Sequence, residues 1–409
     1  MTMPIRLTLV TLALLSSVAA AQDTTLAPWK YDTLASAALG EQRSFIVATP
    51  EGYGAVPERR YPVLVVLDAN DVPQFRAAVA NASFLASRSA IPEVIIVGVP
   101  NGKDRTRDLT PVATGPNTKI FPTAGGAEKM AEFLTEELLP LVRSKYRTYP
   151  MAMLAGHSFG GLFALHVAAS RPTAFQGVIA MSPSLWWNDT TAVAAYADSI
   201  VHAKGAPRLF VTSGALEPPI DVTAKRFVAR LRASKTRTPA FASRHYSQDD
   251  HGLTPAPSLA DGLRFIFEPV SLPRMPIARL LPGSDSAAIE RMLYATDRQY
   301  ARGAPSLGLP EAVPEAVLNQ AGYFALEFMK KTAFAISLFR RNVERYPESA
   351  NVYDSLADAL LAKGDTASAR VELRKAIDLA TRTGHSVLAT STQKLEAIEG
   401  ARQAGKAQP

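Results

Sequence analysis

The chain has 409 residues, of which 47% are hydrophobic, and a formal net charge of +7. This length exceeds one ordinary domain and predicts two. The sequence contains no cysteine, which excludes disulfides and thiolate catalysis. Its basic residues do not form a patch interleaved with aromatic residues, so we expect no nucleic-acid partner.

The N-terminus has the pattern of a secretory signal peptide. Arg6 supplies positive charge, residues 7–15 are apolar, and three alanines at 19–21 fit a cleavage site after Ala21. No later segment approaches the roughly 20 apolar residues of a membrane span. We therefore predict a signal peptide over 1–21 and a periplasmic or secreted protein, and the absence of cysteine favours the periplasm.

Residues 22–268 alternate short β-rich runs with longer helical patterns, which predicts βαβ units around a mostly parallel sheet. The predicted strands are 44–49, 62–67, 94–97, 151–155, 178–182, 208–213 and 241–246. The predicted helices are 73–87, 126–146, 160–170, 191–202, 222–233 and 258–267. The fold class is therefore α/β.

The C-terminal part is predicted to be a separate helical domain. Residues 269–284 are proline-rich and are interpreted as a linker, 285–400 as helical, and 401–409 as a disordered tail. A 34-residue offset is typical of tetratricopeptide (TPR) repeats. It pairs Ala335 with Ala369, Phe339 with Leu373 and Asn342 with Ala376. Two copies are few for a solenoid, so we expect the segment 286–302 and the first domain to help cap the stack.

Residues 156–161 read GHSFGG and join an apolar strand-like run to an apolar helix-like run. This is the context of a nucleophile elbow, in which glycines allow a sharp turn from strand to helix. The turn presents the hydroxyl of Ser158 at the N-terminus of a helix, where backbone amides favour negative charge. Ser158 is the predicted nucleophile.

A histidine and an acid follow the serine in the chain order of the α/β-hydrolase triad. Glu217 comes just after the predicted strand 208–213, and His251 comes after the strand 241–246. The carboxyl ends of parallel strands share one edge of the sheet, so these residues can meet Ser158 there. Asp221 is the alternative acid.

Four motifs together resemble the putative-esterase family of α/β-hydrolases, which includes enterobactin and salmochelin esterases. They are GGAEK at 125–129, EELLP at 136–140, GHSFGG at 156–161 and SPSLWW at 182–187. The resemblance is greatest to siderophore-esterase-like hydrolases with a C-terminal TPR extension. It implies an α/β-hydrolase fold with Ser158 and His251 as catalytic residues. Some siderophore esterases manage with a serine–histidine pair, so the acid stays open between Glu217, Asp221 and neither.

An oxyanion site requires two backbone N–H groups. One belongs to Phe159, which follows the nucleophile, and the other to the loop after an early strand. The family resemblance points to Ala69 or Asn70 for this second donor.

Three further residues have both a substrate-binding and a structural interpretation. Trp186 and Trp187 follow a strand end and either wall an aromatic acyl pocket or belong to the core. Arg107, in a loop at 105–108, either contacts an anionic substrate or pairs with a neighbouring acid. His157 is expected to be a packing residue.

The function predicted from these residues is that of an exported serine carboxylic-ester hydrolase. No spacing of histidines and carboxylates indicates a metal, and no glycine-rich phosphate loop follows a strand, so we expect no cofactor. The substrate is expected to be a small-molecule or glycan-linked ester, such as a siderophore lactone. The alternatives are an acyltransferase of the same fold, or a non-catalytic scaffold whose TPR-like domain binds a protein partner.

Overall fold

The computed structural model describes residues 29–234, 240–271 and 286–406. The expected signal peptide and most of the expected linker lie outside these ranges. The last helix continues to Lys406, so the first six residues of the expected disordered tail are helical. Alanine, arginine and glutamine predominate there, and all three are strong helix formers.

The centre of the molecule is an eight-stranded sheet in the order β1-β2-β4-β3-β5-β6-β7-β8. The β1–β2 and β2–β4 pairs are antiparallel, and the remaining pairs are parallel. The strands are β1 Lys30–Ser36, β2 Glu41–Ala48, β3 Tyr61–Leu67, β4 Ile95–Val99, β5 Thr148–His157, β6 Gly177–Met181, β7 Arg208–Gly214 and β8 Phe241–Tyr246. The seven predicted strands are all present. Strand β1 was missed because it lies at the sheet edge, where only Ser36 is buried.

The helices of the first domain lie on both faces of this sheet. They are α1 Val72–Ser87, α2 Arg105–Leu109, α3 Asn117–Ile120, α4 Ala127–Glu132, α5 Leu139–Lys145, α6 Phe159–Ser170, α7 Thr191–His202, α8 Pro218–Ala233 and α9 Pro255–Ile266. A π-helical segment, Phe133–Leu138, joins α4 to α5 within the helix predicted at 126–146. Helices α1 and α9 cover one face, and α4 to α8 cover the other.

The C-terminal helices are α10 Ser286–Gly303, α11 Glu315–Tyr323, α12 Thr332–Arg345, α13 Ala350–Lys363, α14 Thr366–Thr383 and α15 Leu388–Lys406. Helices α12 and α14 begin 34 residues apart, at Thr332 and Thr366. The paired positions of the 34-residue offset are all buried in these helices. The spacing is therefore reflected in the helices, while the assignment to the TPR family stays a prediction.

Helix α10 and the segment that follows it continue the core of the first domain. Tyr300, Leu307 and Val313 pack in one hydrophobic cluster with Met151 and the residues of α1 and α9. Met151 lies near the start of β5, and His157 ends that strand. A Cβ on Gly308 would lie 3.4 Å from the Met151 N, and at about 3.3 Å per residue this position is roughly 20 Å from the end of β5 where Ser158 follows. The helical region therefore stabilises the sheet at a distance from the elbow.

Among the helices in the described ranges, none is both long and apolar enough to cross a membrane.

Candidate active site

Ser158 occupies a strained turn between β5 and α6. Its φ of 60° and ψ of −118° lie outside the regions that L-residues prefer. The Ser158 N–H donates to the carbonyl of Met181 at 3.0 Å, which fixes the turn against β6. A Cβ on Gly156 would lie 2.2 Å from the carbonyl oxygen of Gly160, so only glycine fits there. The sequence thus forms the expected elbow, with Ser158 at the N-terminus of α6.

The segment 182–187 closes around the serine from the next strand. The Ser184 N–H donates to the Ser158 carbonyl at 3.1 Å. The two hydroxyl oxygens of Ser158 and Ser184 are 3.3 Å apart. Ser184 is buried. The SPSLWW motif therefore supports the conformation of the elbow.

His251 lies in the loop between β8 and α9, with its ring next to the elbow. The His251 and His157 ring centroids are 4.3 Å apart, and His157 immediately precedes Ser158. Nδ1 of His251 is 2.5 Å from Oε2 of Glu217. The side chain of His251 is 37% exposed, whereas that of Glu217 is 5% exposed. The structure thus joins two of the side chains that the sequence selects, His251 and Glu217, beside the residue that precedes Ser158.

Glu217 follows β7 and sits at the N-terminus of α8. Its Oε1 accepts hydrogen bonds from the Ser182 hydroxyl and, at 2.6 Å, from the Gly214 N–H. Burial opposes ionisation, but the hydrogen bonds from His251, Ser182 and Gly214 outweigh it and lower the pKa of the Glu217 carboxyl below 4.5. Glu217 is therefore a carboxylate that orients the His251 ring.

The alternative acid, Asp221, has different partners. Its carboxylate accepts from the Ser213 hydroxyl at 2.7 Å and pairs with Lys225 at 2.6 Å and His245 at 2.9 Å. Asp221 lies one helical turn beyond Glu217, and its carboxylate faces β8. In this structure the acid beside His251 is Glu217.

The two candidate donors after β3 are the backbone N–H groups of Ala69 and Asn70. The Ala69 N–H donates to the carbonyl of Val99 at 3.2 Å. The Ala69 N–H is therefore already bonded to strand β4 in this structure, while its role as an oxyanion donor stays a prediction. Asn70 is exposed and follows directly. Phe159 is the first residue of α6, where backbone N–H groups have no partner within the helix.

The aromatic residues near the elbow form one cluster, whose members differ in how far they are buried. Phe121, Phe159, Trp186 and Trp187 have ring centroids 5.2 to 6.0 Å apart. Trp187 is only 1% exposed, which agrees with its core interpretation, while a contact with substrate stays a prediction. Phe121, Phe159 and Trp186 are half-buried and form an apolar wall next to Ser158.

Arg107 forms the internal ion pair with Asp108 that the structural interpretation expects, while a contact with substrate stays a prediction. Its guanidinium pairs with Asp108 at 2.7 Å and with Glu41 at 2.8 Å. The positive charge of Arg107 is therefore paired with acids of the same fold. Arg107 lies in the short helix α2, where a loop was expected. The arginine near the elbow is Arg105, which sequence reasoning missed. Its guanidinium carbon lies 5.4 Å from the Phe159 ring centroid.

His157 behaves as the packing residue that was expected. Burial, together with the neighbouring His251, lowers the pKa of its imidazole to about 4. A neutral His157 places no charge beside the His251 ring at neutral pH.

Comparison with known proteins finds a matching family model and several similar esterases. The family model described as "Putative esterase" matches residues 36–252, which is more than half of the chain. Ferri-bacillibactin esterase BesA of Bacillus subtilis is 33% identical over 162 residues, covering 36% of this chain and 56% of BesA. The siderophore triacetylfusarinine C esterase of Aspergillus fumigatus is 29% identical over 244 residues, covering 51% of this chain and 82% of that enzyme. The chain thus spans little more than half the length of BesA.

A solved structure extends the similarity in fold. The IroE-like serine hydrolase from Shewanella oneidensis has a TM-score of 0.64 with 24% sequence identity. The alignment covers 76% of this chain and 98% of that one. The sheet and its flanking helices therefore form an α/β-hydrolase fold, as the sequence predicts.

Proposed function

The chain belongs to the putative-esterase family, and on that premise we propose that it is a serine carboxylic-ester hydrolase. The observation that carries this proposal is the contact of His251 with Glu217, beside the strained elbow at Ser158. The order of the three residues, their positions at one edge of the sheet and the orientation of the histidine agree with acyl-enzyme chemistry.

In the proposed reaction His251 removes the proton from Ser158 as the hydroxyl oxygen attacks the ester carbonyl. Glu217 accepts from Nδ1 of His251, which fixes the tautomer with Nε2 as the base and stabilises the imidazolium. The negative charge that develops on the carbonyl oxygen is stabilised by the backbone N–H groups of Phe159 and Asn70. His251 then protonates the leaving alcohol, and a water activated by the same ring hydrolyses the acyl-enzyme.

The surroundings of Ser158 favour an ester with a large flat acyl group. Phe121, Phe159 and Trp186 offer half-buried aromatic surface on one side of the elbow. Flat acyl groups stack well on such rings. The relatives named above act on siderophores, and we propose an ester of this kind as the substrate class.

Hydrolysis of a short p-nitrophenyl ester by the parent and by Ser158→Ala tests the mechanism. We expect turnover in the parent and a loss of at least about 10⁴-fold in the variant, since the nucleophile is removed. Circular dichroism checks that the variant is folded. A fluorophosphonate should label the parent at Ser158, as located by mass spectrometry. Equal turnover by both proteins, or labelling elsewhere only, would refute the mechanism.

We also propose that the protein is exported. Arg6, the apolar residues 7–15 and the alanines before Gln22 support this. N-terminal sequencing of the protein recovered from the periplasm or medium should begin at Gln22. An intact N-terminus on protein retained in the cytoplasm would contradict export.

A further inference from the structure

One ion pair near the elbow is not used in the proposed reaction. Asp68 directly follows β3 and has a positive φ of 59°, and its side chain is 9% exposed. Its carboxylate receives both arms of the Arg105 guanidinium, at 2.6 Å from Nε and 2.9 Å from Nη2. Such paired contacts fix the relative orientation of two groups more firmly than a single hydrogen bond.

The same guanidinium also contacts both sides of the nucleophile. Nη2 of Arg105 donates to the carbonyl of His157 at 3.3 Å, and the guanidinium lies over the ring of Phe159. One side chain therefore joins the end of β3 to the residues that precede and follow Ser158. These are the two segments that carry the proposed N–H donors of Asn70 and Phe159.

The carboxylate of Asp68 approaches the first turn of α6 closely. A Cβ on Gly160 would lie 3.0 Å from Oδ2 of Asp68, so the small residue allows this approach. The N-terminus of α6 is where the reacting oxygen is proposed to become negative. A carboxylate without its cation at this place would repel that charge, and a charge that is largely removed from water is screened weakly.

We propose that the Asp68–Arg105 pair positions the two segments that carry the oxyanion donors. Within the pair, Arg105 neutralises the Asp68 carboxylate, which lies against the first turn of α6. Arg105 is in this view a positioning residue. The inference rests on the proposed function and assigns the pair a role in the rate of the chemical step. Direct binding of an anionic substrate by Arg105 would instead affect KM for charged substrates.

The test measures kcat and KM with p-nitrophenyl acetate, an uncharged ester. It compares the parent with Arg105→Gln, Asp68→Asn and the double variant. Arg105→Gln should lower kcat about 10- to 100-fold with KM changed by less than about threefold, because the donors loosen and Asp68 is left unpaired. The double variant should regain at least about fivefold in kcat over Arg105→Gln, because it removes the unpaired charge.

A matched control is available in the paired contacts of Arg230 with Asp198, at 2.7 and 2.6 Å between α7 and α8. Arg230→Gln should leave kcat within about twofold of the parent. Arg105→Lys covers the case in which Arg105→Gln does not fold. It keeps the charge but loses the planar fork, and kcat should fall about 3- to 10-fold.

The proposal is overturned if the folded Arg105→Gln, or Arg105→Lys in its place, has the parent's kcat. A double variant no better than Arg105→Gln, or a loss confined to KM, also overturns it. A parent without Ser158-dependent turnover contradicts the proposed function itself, and the two failures are thereby distinguished.

Discussion

Two histidine–carboxylate pairs lie near the C-terminal ends of strands β7 and β8. In one, Nδ1 of His251 is 2.5 Å from Glu217, and in the other Nδ1 of His245 is 2.9 Å from Asp221. Each acid also accepts from a serine hydroxyl, Ser182 for Glu217 and Ser213 for Asp221. The local chemistry of the two pairs is nearly the same.

The pairs differ in what lies beside each histidine. The ring of His251 packs against that of His157, which immediately precedes Ser158 in the elbow. His245 projects from β8, an edge strand of the sheet, and its acid is shared with the cation of Lys225. A hydrogen-bonded histidine and acid therefore become a candidate catalytic pair only where the fold also brings a nucleophile.

The largest expected difference between the pairs is at the histidines. His251→Ala should lower kcat for a p-nitrophenyl ester by at least about 10⁴-fold, because the base is lost. His245→Ala should stay within about threefold of the parent. Steady-state kinetics on the two purified variants measures both. Equal effects would show that the comparison is mistaken and that His251 is not the base.

The acids should show the same contrast at smaller amplitude. Glu217→Gln keeps the shape but cannot stabilise an imidazolium, and kcat should fall about 10²- to 10⁴-fold. Asp221→Asn should leave kcat within about threefold and lower the free energy of unfolding by about 1 kcal/mol, because hydrogen bonds to a charged acceptor weaken. Kinetics with urea unfolding separates the two. A small effect of Glu217→Gln would favour a serine–histidine pair.

The smallest difference is expected at the serines, and it depends on pH. The pKa of Glu217 is lowered in the fold, and that of Asp221 likewise, since hydrogen bonds and ion pairs outweigh burial. Each carboxylate thus contributes stability above its ordinary pKa that is lost as pH falls through the folded pKa. Ser182→Ala and Ser213→Ala each remove one donor, so both should reduce this contribution.

Only Ser182→Ala should also change catalysis. With one donor lost, the pKa of Glu217 should be lowered less, so the part of the decline in kcat/KM that follows protonation of this carboxylate should begin at a higher pH. Ser213→Ala should leave that profile in place. Rate profiles between about pH 4 and pH 8, with urea unfolding across the same range, test this pair. A shift in both profiles, or in neither, would remove the distinction.

Much of the fold and part of the site follow from local patterns. The runs that become β3 and β4 are apolar throughout because helices cover both faces of the sheet. The elbow at Ser158 can be predicted from the sequence because its glycines are required by close contacts between residues a few positions apart. Strand β1 could not be predicted, since an edge strand buries few side chains and therefore shows no apolar pattern.

Three choices between near neighbours were settled only by the tertiary structure. Glu217 and Asp221 are one helical turn apart, Arg105 and Arg107 share a short helix, and Trp186 and Trp187 are adjacent. Glu217 contacts His251, whereas Asp221 contacts Lys225. Arg105 lies over the Phe159 ring, whereas Arg107 pairs with Glu41. Trp186 is half-buried, whereas Trp187 is buried. The direction depends on contacts made with distant parts of the chain, such as Asp68 for Arg105 and Glu41 for Arg107.

Sequence patterns were enough for the order of most strands and helices, the candidate nucleophile and the set of candidate partners, because these depend on periodicity and on steric limits within a few residues. The contact of Glu217 with His251, the position of Arg105 over Phe159 and the hydrogen bond from the Ala69 N–H to β4 appear only in the tertiary structure. Side chains two residues apart in a helix, such as Arg105 and Arg107, diverge by about 200°, and contacts with remote segments fix which of them lies beside the elbow.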